Sequence, residues 1–285
     1  MKRQDFRFFH RLRVRWAEVD MQKIVFNAHY LMYFDVVITE YWRALALPYE
    51  DAMHQLGGEL YVKKASVEFN ASARMDDTLD IGMACTRLGN SSMTITGAIF
   101  RGEEHLITGE LIYVFADPAT QTSRPIPPGL RALVQGFEAG EAVLAVRTGP
   151  WAELAEPAGQ VRTAVFVEEQ GIPREEEWDA ADEVALHAVA HNRLGQAVAT
   201  GRLLPATDGV GKIGRMAVHR VLRGTGVGRH ILLALMDAAR ARGDHSVRLS
   251  AQRTAESFYR RLGYQPVGEP YDEVGIPHRL MEIRL

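Results

Sequence analysis

Cysteine is almost absent from the sequence: Cys85 is the only one among 285 residues. An internal disulfide needs two cysteines and a thiolate zinc site needs several, so both are excluded. We expect no metal centre. A chain without disulfides is typical of a reducing compartment, so the expected location is the cytoplasm.

Long apolar runs and a strong excess of one charge are also missing. No stretch approaches the roughly 20 apolar residues of a membrane span, and the basic start lacks the unbroken apolar core of about 7–15 residues that a signal peptide needs. The 33 basic and 36 acidic residues leave a formal charge of −3. Proteins that neutralise nucleic-acid phosphates are normally basic, so we expect neither a nucleic acid nor a membrane as partner.

The composition is that of a folded chain long enough for two domains. Hydrophobic residues make up 47% and charged residues 24%, which excludes the disordered and collagen-like classes. The length exceeds the usual domain size of about 100–200 residues. A proline-rich stretch from Pro118 to Pro128 and a short helical piece precede Glu138. We therefore predict one domain at 1–140 and another at 141–285.

The first half has the pattern of an α+β domain. Residues 11–16 alternate polar and apolar side chains, which predicts a strand with Leu12, Val14 and Trp16 facing inward. Residues 28–47 contain neither glycine nor proline and are apolar on most sides, which predicts a helix enclosed on nearly every side. Further runs between 60 and 117, separated by turn signals, predict antiparallel strands beside this buried helix.

The second half alternates between strands and helices. Strands are predicted at 143–147, 185–192, 197–205, 212–219 and 246–252, with helices around 160–170, 229–243 and 255–263 and a final strand pair. This alternation requires crossover connections, so we expect a mixed sheet with partly parallel pairing. The acidic run between Glu175 and Glu183 is interpreted as a solvated loop.

A carboxylate in the first half, Asp20, lies in a loop eight residues before a helix that we expect to start near Ala28. The first turn of a helix has unpaired amides and a partial positive charge, so it can polarise a carbonyl docked there. A nearby carboxylate can attack that carbonyl or take a proton from water. Taken alone, such an aspartate also fits a cap or turn residue. Glu18 is interpreted as a solvated strand end.

Three segments extend this local pattern: residues 19–35 (VDMQKIVFNAHYLMYFD), 62–81 and 114–130. With them, residues 6–137 resemble the hotdog-fold acyl-CoA thioesterases of the 4-hydroxybenzoyl-CoA thioesterase type. The resemblance implies that Asp20 is the catalytic carboxylate and that the following helix supplies an amide to the thioester oxygen. It also implies active sites between protomers, and hence a homodimer or homotetramer held together by this domain.

One position departs from the family pattern. Several relatives carry histidine seven residues after the aspartate, where this chain has Asn27. Asn27 can hydrogen-bond a carbonyl but cannot shuttle a proton, and we assign it to the site in that role. His29 is either a substitute for the histidine or a packing residue. The departure leaves open that this half is a CoA-binding or oligomerising scaffold.

In the second half, the motif Arg223-Gly-Thr-Gly-Val-Gly228 lies between a predicted strand and a predicted helix. Glycines let successive backbone amides face one anion, and the helix end adds its dipole, which suits a pyrophosphate. A glycine-rich segment can also be a plain turn or cap. The motif is not a P-loop, since no Lys-Ser/Thr pair follows, and its spacing does not match a dinucleotide fingerprint.

This arrangement resembles the GNAT superfamily of N-acetyltransferases over residues 142–285, since Arg223, Gly226 and Gly228 satisfy the pattern Arg/Gln-x-x-Gly-x-Gly/Ala. The resemblance implies an α/β domain, acetyl-CoA as substrate and an amine as acceptor. It places Tyr259 where the family's tyrosine protonates the departing thiolate, and the alternative is an aromatic packing residue. The residues implied to bind CoA are Met216, Ala217, Val218, Arg223, Gly224, Thr225, Gly226, Val227, Gly228 and Arg229.

The expected function is a bifunctional enzyme. Its first half would hydrolyse acyl-CoA thioesters, and its second would transfer an acetyl or acyl group from CoA to an amine. Acyl-CoA and acetyl-CoA are then substrates, and no cofactor is expected to stay bound. Glu169, His187 and His278 are candidate general bases for the transfer, with a water-mediated step as the alternative. It also remains open that only one half is catalytic and that the other binds CoA or holds an oligomer together.

Overall fold

The computed structural model describes residues 1–273 and 275–285. The chain divides into two compact units, Met1–Val143 and Leu144–Leu285. No helix in the described part of the chain is long and apolar enough to cross a membrane. Both units combine helices with a sheet, which confirms the predicted α+β class.

The N-terminal unit is an antiparallel sheet with a long helix packed against it. Its strands are β1 (Phe8–Arg13), β2 (Glu59–Phe69), β3 (Thr78–Leu88), β4 (Ser92–Arg101) and β5 (Glu104–Ala116), in the order β1-β3-β4-β5-β2. Its helices are α1 (Asn27–Ala44), α2 (Tyr49–Leu56) and α3 (Pro128–Glu138). The sequence did not predict α2, a short helix between Pro48 and Gly57.

Helix α1 packs against the sheet around one buried ring. Gly97 on β4 and Gly109 on β5 are direct cross-strand partners, and a Cβ at either would overlap the ring of Phe34. Phe34 is fully buried. The paired glycines therefore make the slot that lets the helix lie close to the sheet.

Two expectations for this unit are wrong. Strand β1 ends at Arg13, and the chain turns at residues 16–18, so Trp16 is 80% exposed although Val14 is buried as predicted. Helix α1 is not enclosed on nearly every side, because Leu31, Met32 and Val36 are exposed on the face away from the sheet. An apolar sequence on both faces of a helix does not say that one chain covers both.

The C-terminal unit is a mixed sheet with helices on both faces. Its strands are β6 (Leu144–Pro150), β7 (Leu186–Asn192), β8 (Ala197–Thr207), β9 (Val210–Val218), β10 (Ser246–Gln252), β11 (Gln265–Glu273) and β12 (Ile276–Arg284), in the order β11-β12-β10-β9-β8-β7-β6. Its helices are α4 (Trp151–Arg162), a π-helix (Thr163–Glu169), α5 (Arg174–Glu177), α6 (Val227–Arg242) and α7 (Glu256–Arg261). The pair β9–β10 is parallel, as the alternation predicted.

The core of this unit lies on both sides of β7. Ala188 and Ala190 pack in one apolar cluster with Ile231 and Leu235 of α6, whereas Val189 packs with Leu154 of α4. Successive side chains of a strand point to opposite faces, so α4 and α6 cover the two faces of the sheet.

The acidic run is a solvated loop only in part: Glu175, Glu176 and Glu183 are exposed, whereas Glu177 and Asp182 are buried. Arg162 is 1% exposed and binds Glu177 and Asp182 at 2.5 and 2.8 Å. Arg202 of β8 binds Asp182 at 2.6 Å and Asp179 at 2.7 Å. The arginines come from elements distant in sequence, so the run alone did not reveal them. Removing one partner from such a buried network leaves an uncompensated charge, which costs about 3–5 kcal/mol.

Candidate active sites

Asp20 lies in a tight loop closed by a bridge between Val19 and Val25. Its backbone amide donates to the carbonyl of Ile24 at 2.9 Å, and its Oδ1 accepts the amide of Gln22 at 2.8 Å. The side chain is half-buried. One carboxylate oxygen therefore holds the turn, and the other has no hydrogen-bond partner among the described residues.

Helix α1 anchors this loop. The hydroxyl of Tyr33 donates to Glu18 at 2.6 Å, and the amide of Phe26 donates to the Glu18 carbonyl at 2.9 Å. Glu18 is 2% exposed, so its interpretation as a solvated strand end is wrong. Burial acts to raise the pKa of Glu18, but hydrogen bonds from Arg15 and Tyr33 outweigh it and lower the pKa. Glu18 is thus an ionised anchor of the loop.

The first turn of α1 lies beside the loop. Asn27 is its exposed first residue, and no side chain caps the helix. Burial raises the pKa of Tyr30, and the charges of Asp77 and Asp20 add to this effect. His29 is half-buried with its ring against Phe26. The Asp20 loop thus leads directly into the uncapped first turn of α1, where Asn27 is exposed.

The second candidate site lies where two parallel strands separate. Residues 210–213 of β9 pair with 246–249 of β10, and beyond them β9 continues to Val218 paired with β8. A register shift near Arg202 and the positive φ of Arg215 (50°) mark the bend. Among the described residues, no strand pairs with the β10 side of Met216, Ala217 and Val218. The backbone edge on that side is therefore open to a ligand, except for the Val218 carbonyl, which accepts a hydrogen bond from Arg223 Nε.

The glycine-rich motif crosses the end of this opening. Gly224 and Gly226 have φ values of 84° and 94°, which glycine adopts without strain. A Cβ on Gly228 would come within 3.2 Å of Val218, so this glycine allows the turn to lie against β9. Helix α6 starts at Val227, and its first amides lack intrahelical partners. This geometry is suited to binding an anion.

A cleft of about 710 Å³ connects these features. Of the ten residues predicted to bind CoA, eight line it: Met216, Ala217, Val218, Arg223, Gly224, Gly226, Gly228 and Arg229. The other two have internal roles. The Thr225 hydroxyl donates to the Leu222 carbonyl at 2.7 Å, and the Val227 side chain is buried in the core.

Arg223 holds the loop in place. Its two terminal nitrogens donate to Glu169 at 2.6 and 2.7 Å, and its Nε donates to the Val218 carbonyl at 3.1 Å. This pairing lowers the pKa of Glu169, mainly through the hydrogen bonds from Arg223. Glu169 is therefore a poor proton acceptor. The guanidinium of Arg229 has no partner among the described residues, so it is the cation of the motif that remains available to an anion.

Tyr259 on α7 stands at the end of the cleft. Its ring packs against Phe258 and Tyr264, and its hydroxyl has no hydrogen-bond partner among the described residues. Burial raises the pKa of Tyr259 to about 12. The phenol therefore keeps its proton through the physiological range and is available as an acid.

A smaller cavity of about 300 Å³ adjoins the cleft, and Tyr259, Met216, Gln252, Gln170 and Ala255 line both. His278 lines this smaller cavity. His187 does not: it is 1% exposed, packs on Trp151 and bonds to the Asp182 carbonyl, and burial lowers its pKa.

The antiparallel sheet with its packed helix and the split mixed sheet are two different domain folds. The family model of the thioesterase superfamily matches residues 22–108, and that of the acetyltransferase (GNAT) domain matches residues 157–285. The chain therefore belongs to the GNAT acetyltransferases through its C-terminal half, and its N-terminal half carries a thioesterase-superfamily domain.

Individual relatives match one half at a time. The uncharacterized N-acetyltransferase YjcF of Bacillus subtilis is 38% identical over 130 residues, which cover 45% of this chain and 91% of YjcF. The crystal structure of Escherichia coli ElaA is 30% identical with a TM-score of 0.45, covering 49% of this chain and 98% of ElaA. The structure of the Synechocystis thioesterase Slr0204, whose substrate is 1,4-dihydroxy-2-naphthoyl-CoA, is 16% identical with a TM-score of 0.43, covering 46% of this chain and 97% of that one.

Proposed function

We propose that the protein is a bifunctional CoA-dependent enzyme that hydrolyses acyl-CoA in its N-terminal half and transfers an acetyl or acyl group to an amine in its C-terminal half. The observation that carries the proposal is the cleft between β9 and β10. It combines an unpaired strand edge, a helix N-terminus rich in glycine and a buried tyrosine with a free hydroxyl. CoA offers a matching amide-rich arm, a pyrophosphate and a leaving thiolate.

In the transferase half, the pyrophosphate binds the amides of Gly224 and of residues 226–228, with Arg229 beside them. The pantetheine arm pairs with the free edge of Met216 to Val218, which brings the thioester toward Tyr259. The amine enters the smaller cavity and attacks the carbonyl, and Tyr259 protonates the departing thiolate. A helix end and local amides supply the attraction for this polyanion, which is consistent with a net charge of only −3.

In the thioesterase half, the thioester carbonyl docks at the first turn of α1. The amides there and the Asn27 side chain stabilise the developing oxyanion. Asp20 either attacks the carbonyl carbon or takes a proton from the attacking water. Glu18 and Tyr33 fix the loop so that Asp20 stays beside that turn.

This half works as a homodimer or homotetramer in our proposal. The outer face of α1 exposes Leu31, Met32 and Val36, and the edge strand β2 exposes Tyr61 and Val62. An open sheet edge beside an apolar helix face suits a second copy of the chain. We place both reactions in the cytoplasm, without a resident cofactor and without a nucleic acid or membrane as partner.

One observation favours a second candidate function for the first half. Asn27 cannot transfer a proton, and Asp20 already uses one oxygen to hold its turn. A unit with these features that bound CoA without hydrolysing it would serve as an oligomerising scaffold for the transferase.

A panel of acyl-CoA esters, monitored for free thiol with and without primary amines, tests the proposal. We expect thiol release from at least one ester without amine, and faster release together with amide product when amine is added. Release only with amine would support the scaffold, and no release under either condition would contradict both activities.

A further inference from the structure

His278 lies at the junction of three strands of the C-terminal unit. On β12 it pairs in register with Gln252 of β10 and Tyr271 of β11. The ring of Tyr271 stacks on the imidazole, with centroids 6.2 Å apart and planes 24° from parallel. His278 is 9% exposed and lines the smaller cavity, which also contains Tyr259. The ring is thus held firmly where an acyl acceptor would enter.

The hydrogen bonding of His278 determines which nitrogen carries the proton. Its Nδ1 lies 2.8 Å from the carbonyl oxygen of Ile276. A carbonyl oxygen can only accept, so Nδ1 is the protonated nitrogen of the neutral ring and Nε2 keeps its lone pair. Nε2 has no hydrogen-bond partner among the described residues. The neutral side chain therefore presents one basic nitrogen.

Most of the other charged groups that line this cavity either bind another protein group or are exposed to solvent. They are Glu176 and Glu177 on α5, Arg202 on β8, Lys212 and Arg215 on β9, and Glu273 on β11. Glu177, Arg202 and Arg215 belong to the buried ion-pair network. Glu273 accepts a hydrogen bond from Ser250 at 3.0 Å, and Glu176 and Lys212 are exposed. Each of these groups is thus paired within the protein or exposed, whereas the His278 ring is enclosed and its Nε2 has no hydrogen-bond partner among the described residues.

We propose that His278 is the catalytic base of the acyl transfer, an inference that rests on the proposed transferase function. Nε2 takes a proton from the ammonium group of the acceptor, which leaves an imidazolium and a free amine. The amine nitrogen bonds to the thioester carbon, the carbon–sulfur bond breaks, and Tyr259 protonates the thiolate. The proton left on the acylated nitrogen returns to the Tyr259 phenolate, and the imidazolium releases its proton to water.

Two acceptor amines of similar size distinguish a histidine that acts as a catalytic base from one with a structural role. Ethylamine is protonated at neutral pH, whereas trifluoroethylamine is mostly unprotonated. With ethylamine, we expect His278→Gln to reduce kcat for acetyl transfer about hundredfold. With trifluoroethylamine the loss should nearly vanish. As the pH rises, more ethylamine is already deprotonated, so the deficit should shrink. The KM for acetyl-CoA should not change.

The matched control is His245→Gln, which changes a histidine outside the cavity whose Nε2 contacts the Asp208 carbonyl. It should behave as the wild type with both amines. Equal losses of His278→Gln with both amines, or a loss independent of pH, would overturn the proposed base. A wild-type protein that transfers to neither amine would instead contradict the proposed transferase function.

A measurement on the unaltered protein guards against a variant that fails to fold. Nitrogen NMR of the histidine-labelled wild type, with the His278 signals assigned by their absence from His278→Gln or from the conservative variant His278→Asn, reports the tautomer of the neutral ring. We expect the proton on Nδ1. A neutral ring protonated on Nε2 would leave no basic nitrogen for the acceptor and would overturn the inference.

Discussion

The two candidate sites differ in how completely a single chain forms them. In the C-terminal unit, a strand edge, a helix end, Tyr259 and His278 enclose a cleft and an adjoining cavity. In the N-terminal unit, Asp20 and Asn27 lie at a surface with exposed Met21 and Phe26 nearby. The first site has its walls within one unit, and the second presents its chemistry outward.

This difference predicts which of the two activities depends on oligomerisation. A cleft built from one sheet needs no second chain to exclude water from the thioester. A carboxylate beside an exposed helix end does, because low-dielectric surroundings strengthen its interactions with the substrate. We therefore expect hydrolysis to depend on oligomerisation and transfer to be indifferent to it.

The largest effect is expected from Asp20. Asp20→Asn keeps a side-chain oxygen for the turn with Gln22 but removes the charge, so acyl-CoA hydrolysis should fall about thousandfold, as should Asp20→Ala. Thiol release without amine measures this, and sedimentation should show an unchanged assembly. Hydrolysis that survives in Asp20→Asn would restrict Asp20 to its role in the turn.

Tyr259→Phe should reduce acetyl transfer about hundredfold at neutral pH. A free thiol has a pKa of about 8.5, so above that pH the departing thiolate needs no proton and the deficit should shrink. The wild type should show no alkaline loss from Tyr259 below its raised pKa of about 12. Tyr264→Phe, which removes another buried hydroxyl without a hydrogen-bond partner among the described residues, is the control and should transfer normally.

Val36→Glu should weaken assembly and hydrolysis together. Val36 is 47% exposed on the outer face of α1, and a carboxylate buried there between two copies would raise the dissociation constant roughly tenfold or more. Sedimentation and thiol release measure the two effects, and transfer should not change. Val184→Glu places the same change on an exposed valine of the other unit and should leave both activities intact. Normal acyl-CoA hydrolysis by a monomeric Val36→Glu protein would contradict an active site shared between protomers.

Gly226→Ala tests the anion site and should have the smallest effect. Its φ of 94° is strained for alanine, at a cost of about 1–3 kcal/mol in the free energy of unfolding. The KM for acetyl-CoA should rise several-fold while hydrolysis stays unchanged. Gly214→Ala, where φ is ordinary and the added methyl meets open space, should cost little stability. Equal thermal stability of the two variants would contradict the assigned backbone strain.

Local patterns allowed much of this structure to be predicted from the sequence. The strand and helix periods located most elements, and the motif around Gly226 located the cleft. The errors concern partners distant in sequence. Trp16 continues the alternation of polar and apolar side chains, but nothing in that alternation shows that strand β1 ends at Arg13. The acidic run gave no sign of Arg162 and Arg202, which neutralise it from other elements.

The residues of the candidate sites show the same contrast between local sequence signals and contacts with distant residues. The glycines and Tyr259 belong to one short motif or helix, so the resemblance of these local segments to the GNAT superfamily was enough to name them as candidates. His278 could be named as a candidate base but not preferred, because its advantage over Glu169 and His187 depends on a hydrogen bond and a cavity that only the folded chain defines. The buried anchor Glu18 was missed because its partner Tyr33 lies fifteen residues away on another element.

In our proposal each half carries its own thioester reaction, and a comparison of two variants distinguishes this from a single shared site. Hydrolysis and amide formation are measured in parallel for the wild type, Asp20→Asn and Tyr259→Phe. We predict that Asp20→Asn loses hydrolysis alone and that Tyr259→Phe loses transfer alone. Loss of both activities in either variant, or of neither in both, would contradict two independent sites.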